Sequence, residues 1–160
     1  MKYAILKRTM DVSAAITGLV LLSLPLTLLA FLVRKQMGSP VLFLQKRPGL
    51  NSNLFNMYKF RTMNNDMDEQ GNLLPDSKRL TPLGRMLRRY SLDELPQLLN
   101  VLKGDMSLIG PRPLLVSYLP HLTTRESTRH NVKPGITGLA QVAGRNTVDW
   151  DKRLELDAVY

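Results

Sequence analysis

The sequence predicts an α+β fold that is mainly helical and carries one small β-hairpin. Three observations lead to this class: a long uncharged stretch near the N-terminus, helical spacing of apolar residues further on, and one segment with strand-like alternation. With 160 residues, 44% of them hydrophobic, the chain can form a core. It has no cysteine, which excludes disulfides and thiolate metal sites. The net charge of +9 favours nucleic acid, anionic lipid or phosphorylated substrates as partners.

The first element is an uncharged segment from Val12 to Val33. As a helix it would reach roughly 33 Å, enough to cross a hydrocarbon core of about 30 Å. Basic residues flank it on both sides: Lys2, Lys7, Arg8, Arg34 and Lys35. The positive-inside rule is therefore best satisfied if both ends stay cytoplasmic. Pro25 near the middle, with Ser23 before it, predicts a broken helix that enters and leaves by one face, and a spanning helix is the open alternative.

The residues after this segment predict the β-hairpin. Apolar runs at Val41–Gln45 and Leu54–Arg61 flank a turn-rich segment, 47–51. In the second run Lys59 and Arg61 alternate with aromatic residues, so the two cations share one face. We interpret them as a phosphate-facing pair, and a solvated strand face is the alternative.

A polar loop then precedes an amphipathic helix that starts at Thr81-Pro82, with the threonine as N-cap. Its apolar residues follow at helical spacing: Leu83, Met86, Leu87 and Tyr90. Its arginines occupy the other faces: Arg85, Arg88 and Arg89. This helix either lies in a membrane interface with its arginines toward lipid phosphates or packs its apolar stripe in the core. Residues from Trp150 to Tyr160 predict a C-terminal helix.

The segment Ser91–Gln97 predicts a helix start with an acidic pair. Ser91 has the N-cap position and Glu94 the capping-box position three residues later. Asp93 then lies in the first turn, where free N–H groups and the helix dipole favour an ionised carboxylate and a divalent cation or phosphate can approach. Pro96 conflicts with this start, because a proline at the fifth helical position forfeits a backbone bond, so the helix alternatively begins at Pro96.

Cations surround this acidic pair along the sequence. Arg88 precedes it, and Gly110–Pro113 follows, with two prolines that stiffen the chain on both sides of Arg112. Three functions are open on the residues alone: a membrane-bound phosphoryl-transfer enzyme, a non-catalytic basic peripheral protein that binds anionic lipid, and a membrane-tethered nucleic-acid-binding protein. Arg112 and the Asp93-Glu94 pair favour the first, because lipid binding requires neither. No DNA-binding motif supports the third.

Several motifs occur in order along nearly the whole chain: Lys7-Arg8, Lys59–Met63, Ser91–Leu98, Lys103–Ser107, Gly110–Pro113 and Lys133–Leu139. Together they resemble the bacterial sugar transferase family, the monotopic phosphoglycosyl transferases, and among these the small PglC-type enzymes. The resemblance implies a re-entrant membrane helix in residues 1–36 and a catalytic domain with interfacial amphipathic helices in residues 37–160. It places the catalytic domain on the cytoplasmic face of the bacterial inner membrane. Family chains usually continue beyond the position of Tyr160, which predicts a truncated C-terminus.

The activity that the resemblance implies is transfer of a sugar 1-phosphate from a UDP-sugar to undecaprenyl phosphate, with release of UMP. The implied donor is UDP-N,N′-diacetylbacillosamine or a related N-acetyl sugar, as in protein glycosylation. Anionic membrane lipids are implied partners, nucleic acid is not, and a homo-oligomer is possible. The implied cofactor is Mg²⁺.

The resemblance also assigns roles to individual residues. Asp93 is the implied nucleophile and a metal ligand, Glu94 is the neighbouring acid–base group, and Asp157 supports the metal. The implied phosphate-binding residues are Lys59, Arg88, Arg112 and Arg145. Where the family has serine directly followed by proline in the membrane helix, this chain has Ser23-Leu24-Pro25, so the predicted break involves Ser23 and Pro25 with a shift of one residue.

Overall fold

The structure is a computed structural model that describes residues 2–144 and 147–160. Helices dominate, as predicted, and are accompanied by an antiparallel hairpin and a short parallel strand pair. The regular elements, in chain order, are α1 (Lys2–Leu21), α2 (Ser23–Met37), β1 (Leu42–Pro48), β2 (Leu54–Phe60), α3 (Asp76–Arg79), α4 (Pro82–Arg89), α5 (Gln97–Lys103), β3 (Ser107–Ile109), α6 (Thr124–Ser127), β4 (Gly135–Thr137), α7 (Leu139–Gly144) and α8 (Trp150–Val159).

The hydrophobic N-terminal segment is broken, as predicted. Helices α1 and α2 meet at Leu22 with a bend of 65°. Neither helix alone is long and apolar enough to cross a membrane, whereas the bent pair has the length and composition of a broken span or a re-entrant loop. Pro25 explains the position of the break, because it lacks an N–H and its ring crowds the carbonyl of Leu21, where α1 ends. The Thr27 hydroxyl donates to the Ser23 carbonyl at 2.8 Å, next to the break.

The first half of α1 is tied to the rest of the fold by polar contacts. Asp11 is buried, and its carboxylate accepts hydrogen bonds from the Ser107 hydroxyl at 2.8 Å and the Leu108 N–H at 3.0 Å. Arg8 donates to the carbonyls of Val101 and Leu102, at 2.6 and 2.8 Å, at the C-terminal end of α5. Free carbonyls and the helix dipole favour a cation there. Side chains that the sequence places beside a membrane segment therefore orient α1 against β3 and α5.

Removing the Asp11 carboxylate is expected to destabilise the fold. Asp11→Ala leaves the buried Ser107 hydroxyl and the half-buried Leu108 N–H without their acceptor. An unsatisfied buried donor costs about 1–3 kcal/mol, so the melting temperature in detergent should fall by several degrees. Asp151→Ala, at an exposed position early in α8, is the matched control and should leave the melting temperature unchanged. Equal melting temperatures for both variants would show that these contacts contribute nothing.

The predicted hairpin is confirmed, and it lies between two apolar clusters. Leu42 pairs with Phe60 and Pro48 pairs with Leu54. One cluster joins α2, β2 and α4 through buried apolar side chains: Val33, Met37, Phe60, Leu83 and Leu87. The other joins α1, β2 and α5: Ala15, Met57, Val101 and Met106. The hairpin therefore connects the two halves of the bent N-terminal pair to the rest of the core.

Helix α4 begins as predicted, since the Thr81 hydroxyl accepts from the Gly84 N–H at 2.9 Å. Of the two alternatives for its apolar stripe, core packing is observed, because Leu83 and Leu87 are buried in the first cluster. The arginines of this helix stay exposed on its other faces. The next segment, however, differs from the predicted capping box.

The prediction of a capping box at Ser91 is wrong. Ser91 has a left-handed backbone, with φ 56° and ψ 23°, and its side chain caps no N–H group. Leu92–Glu94 form a short 3₁₀ turn, and α5 begins only at Gln97, immediately after Pro96. The alternative start at Pro96 is therefore correct, because proline is tolerated at the start of a helix but not in its interior. Gly104 ends α5 with a left-handed backbone.

The buried side chain of Asn100 fastens α5 to the hairpin. Its Nδ2 donates to the Asn56 carbonyl at 2.8 Å, and its Oδ1 accepts from the Tyr58 N–H at 3.0 Å. These two backbone groups lie on the outer edge of β2, next to Lys59. The amide therefore fixes the edge strand that presents Lys59 to the acidic pair.

Candidate active site

A cleft of about 1560 Å³ brings most of the predicted site residues together. Six of them line it: Lys59, Arg88, Asp93, Glu94, Arg112 and Asp157. Its walls come from the hairpin, α4, the turn before α5, the segment after β3, and α8. Arg145 lies outside the described residues, and Ser23 and Pro25 lie at the bend of α1 and α2. Residues far apart in the sequence thus form one polar, largely cationic wall.

Glu94 lies between two cations. Its Oε1 accepts from Lys59 Nζ at 2.8 Å, and Arg112 binds both of its oxygens, with Nη1 to Oε2 at 3.1 Å and a close contact from Nη2 to Oε1. Burial alone would raise the pKa of Glu94, but the hydrogen bonds and charges of Arg112 and Lys59 outweigh it and hold the pKa below its usual value. Glu94 is therefore ionised and a weak base in this arrangement.

Asp93 is buried in the 3₁₀ turn, and its carboxylate lines the cleft. Its pKa is raised above the usual aspartate value, mainly by burial and also by repulsion from Glu94. Lys59 and Arg88 oppose this rise without cancelling it. Desolvation, rather than a helix end, therefore dominates the pKa of Asp93, because no regular helix begins at Ser91. A desolvated carboxylate of this kind is typical of functional sites.

Arg88 and Arg112 both line the cleft. The Arg88 Nε donates to the Thr62 hydroxyl at 3.0 Å, which aims the side chain across the start of the loop after β2. The Arg112 carbonyl accepts from Arg129 Nη2 at 2.6 Å. The predicted stiff segment around Arg112 is thus held by a second arginine as well as by its prolines.

Arg129 and Asp157 form a buried ion pair, with Nη2 and Oδ2 at 2.7 Å. Arg129 lies on the 3₁₀ segment before β4, so the bonded partner of Asp157 comes from outside its own helix. Burial raises the pKa of Asp157, and the charges of Arg129 and Arg153 oppose the rise. Sequence reasoning missed Arg129, because it lies in a polar stretch without any periodic or motif signal.

Arg47 is a second residue that sequence reasoning missed. It ends the cleft face of β1, where its Nη1 donates to the Pro113 carbonyl at 3.1 Å and its Nη2 to Gln45 Oε1 at 2.7 Å. Burial and repulsion by Arg112 lower its pKa, and Glu94 opposes this. Arg47 lies in a turn-rich segment, where no sequence signal indicated a functional role. Alternation along β1 could have found it, because Gln45 and Arg47 are two residues apart and share one face.

The residues fit a magnesium ion that is shared with a substrate. Among the described residues no group of three or more His, Asp or Glu side chains is placed to hold a metal. Mg²⁺ commonly takes one or two carboxylates and completes its shell with substrate phosphates and water. Asp93, buried in the cleft among its cations, fits this mode. Asp157 is already bonded to Arg129, so its contact with the metal stays a prediction.

Comparisons with known proteins identify the family of the chain. The model of the bacterial sugar transferase family matches residues 2–160. The uncharacterized sugar transferase EpsL of Bacillus subtilis is 56% identical over 156 residues, which cover 98% of this chain and 77% of that protein. The undecaprenyl-phosphate galactose phosphotransferase of Salmonella typhimurium is 39% identical over 172 residues, covering 97% of this chain and 36% of that protein.

A third relative names a nucleotide sugar. The UDP-N-acetylgalactosamine-undecaprenyl-phosphate N-acetylgalactosaminephosphotransferase of Aeromonas hydrophila is 40% identical over 167 residues, covering 99% of this chain and 39% of that protein. The chain spans most of EpsL and little more than a third of the other two relatives. The family match and the identity to EpsL together show that the chain belongs to the bacterial sugar transferase family.

Proposed function

We propose that the protein is a phosphoglycosyl transferase that moves a sugar 1-phosphate from a UDP-sugar to undecaprenyl phosphate and releases UMP. The names of two relatives describe phosphotransferases for galactose and N-acetylgalactosamine that use undecaprenyl phosphate. The observation that carries the proposal is the buried Asp93 carboxylate in a cleft whose cations, Lys59 and Arg112, converge on the neighbouring Glu94. A lipid-binding surface has no need of a desolvated carboxylate.

The chemistry follows from the nucleophile. An Asp93 oxygen attacks the phosphorus bonded to the sugar, and the bond from that phosphorus to the UMP oxygen breaks, so UMP leaves with the electron pair. A phosphate oxygen of undecaprenyl phosphate then attacks the same phosphorus, and the bond to Asp93 breaks. A carboxylate nucleophile splits one difficult displacement into two easier ones. Mg²⁺ held by Asp93 would supply charge neutralisation at the leaving phosphate.

The cations are proposed to bind the donor's phosphates. Arg112 presents a planar fork that suits two phosphate oxygens, and Lys59 adds a point charge. In the free protein both are bound to Glu94, so a donor phosphate competes with Glu94 for them. Once released from its cations, Glu94 becomes a stronger base and can act on the acceptor. Arg88, which also lines the cleft, is proposed to hold a further phosphate oxygen.

The site is proposed to lie at the cytoplasmic surface of the bacterial inner membrane. The bent pair α1–α2 exposes large apolar side chains around its bend: Leu21, Leu24 and Leu28. A re-entrant insertion would cover them with lipid, and Arg85, which is exposed on α4 and is not among the described residues that line the cleft, would meet anionic headgroups. The soluble donor and the lipid acceptor would then meet at one interface.

Pro25→Ala is expected to favour a straight helix. The substitution restores an N–H that can bond to the Leu21 carbonyl, which removes the cause of the break at Leu22. Accessibility of a tag at Met1 on the outer face of intact cells should rise from background in this variant. Leu24→Ala, which leaves the proline in place, is the matched control. Unchanged topology in Pro25→Ala would show that other residues decide the bend.

The proposed function is tested by incubating the protein with Mg²⁺ and a panel of UDP-sugars. The panel includes UDP-N,N′-diacetylbacillosamine, UDP-galactose and UDP-N-acetylgalactosamine, because the resemblance and the relatives' names point to different sugars. We expect a mass gain of one phosphosugar together with released UMP. A folded sample that gives neither product with any donor would favour the alternative, a basic peripheral protein that binds anionic lipid without catalysis.

A further inference from the structure

We propose that the far wall of the cleft, formed by Tyr118, Trp150, Arg129 and Asp157, is the subsite for the uracil base of the donor. The inference rests on the proposed function, since it assumes a uridine nucleotide as ligand. Three observations carry it: an aromatic pair on the wall, a buried donor and acceptor without partners, and the continuity of this wall with the Asp93 site.

The aromatic pair comes from two separate segments. Tyr118 lies on the 3₁₀ segment that follows Arg112-Pro113, and Trp150 starts α8. Their ring centroids are 5.0 Å apart, and each side chain stays about two-fifths exposed at the cleft. A partly exposed aromatic surface within a cationic cleft suits a flat heterocycle, because every base has a π-face that stacks on such rings.

Helix α8 presents its next turns to the same cleft. Trp150, Arg153 and Asp157 follow one another at helical spacing, and all three line it. At the far end of this face the Asp157–Arg129 pair reaches the Arg112 carbonyl, which connects the wall to the phosphate-binding cations. A ligand with a phosphate at Arg112 and a base at Trp150 would therefore lie along one continuous surface.

The buried ion pair is incompletely satisfied. Arg129 and Asp157 bind each other through Nη2 and Oδ2, while Arg129 Nη1 and Asp157 Oδ1 have no hydrogen-bond partner within the described residues. Buried polar atoms in native proteins nearly always have partners. One donor and one acceptor without partners on this pair match the chemistry of uracil, whose single N–H donor lies between two carbonyl acceptors. Because both atoms are shielded from solvent, this fit also predicts that the side chains around Trp150 shift when the base binds.

The test uses Trp150 as a probe, because it is the only tryptophan in the sequence. The full chain in detergent is titrated with UMP, with ribose 5-phosphate, which lacks a base, and with N3-methyl-UMP, which lacks the N–H donor. We expect UMP to change the Trp150 emission saturably. Both other ligands should bind about tenfold more weakly, the size expected when base stacking or a base hydrogen bond is lost.

A variant pair separates stacking from folding. Tyr118→Leu should weaken UMP binding about tenfold, measured by calorimetry. Tyr58→Leu is the matched control, because Tyr58 lies against Lys103 and is not among the described residues that line the cleft, so UMP affinity should stay within about twofold of the wild type. Asp157→Asn should abolish the discrimination against N3-methyl-UMP. Arg129 is not substituted, because it also donates to the carbonyl of Arg112.

Three results would overturn the proposal. In the first, UMP and ribose 5-phosphate bind equally. In the second, a short-chain polyprenyl phosphate, rather than UMP, changes the Trp150 emission, which would assign the wall to the lipid acceptor. Alternatively Asp157→Asn would alter the Mg²⁺ dependence and leave the discrimination between UMP and N3-methyl-UMP unchanged, which would favour a metal role for Asp157. Release of UMP from a UDP-sugar in any of these cases would leave the proposed function standing.

Discussion

Asp93→Asn is expected to abolish sugar-phosphate transfer while the protein keeps, or gains, thermal stability. The amide retains the shape of the carboxylate but is no nucleophile, so turnover should fall by roughly 10³-fold or more. The gain in stability follows from the raised pKa of Asp93, because a group whose pKa is higher in the folded state is penalised when it is ionised there. The neutral amide removes that penalty.

The pH dependence has a definite sign. Below the unfolded-state pKa of Asp93 both states are protonated, and wild type and variant should differ least in stability. As the pH rises through the folded-state pKa, the wild type acquires the full cost of the buried charge and the variant becomes relatively more stable. Adduct formation by the wild type needs the ionised form, so its rate should fall on acidification at a pH above the usual aspartate range.

Two quantities are measured for the wild type and Asp93→Asn. One is intact mass after incubation with donor, and the other is thermal unfolding from acidic pH, where Asp93 is protonated, to neutral pH. Asp151→Asn, an exposed aspartate on α8, is the matched control and should change neither quantity. Wild-type turnover in Asp93→Asn would exclude the covalent scheme. A large loss of stability at neutral pH would instead show that the attraction of the Asp93 carboxylate to Lys59 and Arg88 exceeds the cost of burying its charge.

Gly84→Ala is expected to disrupt the fold around α4. A Cβ at this position would lie 1.8 Å from the Thr62 carbonyl oxygen, which is backbone and cannot rotate away. The chain must shift, at a cost of about 3 kcal/mol or more, which lowers the melting temperature by on the order of 10 °C. Activity should fall as well, because the Arg88 side chain of this helix bonds to Thr62 across the same contact.

Gly18→Ala is the matched control for this variant. Gly18 is also helical, but its Cβ would meet only the Leu98 Cδ1 atom at 3.3 Å, at the end of a flexible side chain. Alanine improves helix propensity by up to about 1 kcal/mol, so this variant should be unchanged or slightly more stable. If thermal unfolding shows the same melting temperature for both variants, the close approach of Gly84 to Thr62 is not a constraint.

Local chemistry made much of the fold predictable. Thr81 before Pro82, alternation around Lys59, Gly104 after an apolar stripe and Pro25 within the hydrophobic segment each decide the backbone within a few residues, and each is observed. The prediction at Ser91 was wrong because two local signals compete there. The proline at position 96 excludes a regular helix through it, and tertiary contacts of Glu94 replace the expected cap.

The candidate site was predictable only where cations and acids are close in sequence or match a motif. Asp93, Glu94, Lys59, Arg88 and Arg112 do line one cleft, as their motifs suggested. The contacts of Arg47 and Arg129, and those that Arg8 and Asp11 make with later segments, form only in the folded chain. No spacing rule connects such residues, so their partners could not be read from the sequence.

The amide of Asn100 also has a consequence for how the hairpin behaves toward other molecules. A two-stranded ribbon exposes unpaired backbone groups that can template pairing with another chain. Asn100 occupies the Asn56 carbonyl and the Tyr58 N–H on the outer edge of β2, so a foreign strand cannot add there without displacing it. One side chain thereby protects this edge against strand addition and aggregation, since no third strand joins the hairpin in the part of the chain that the structure describes.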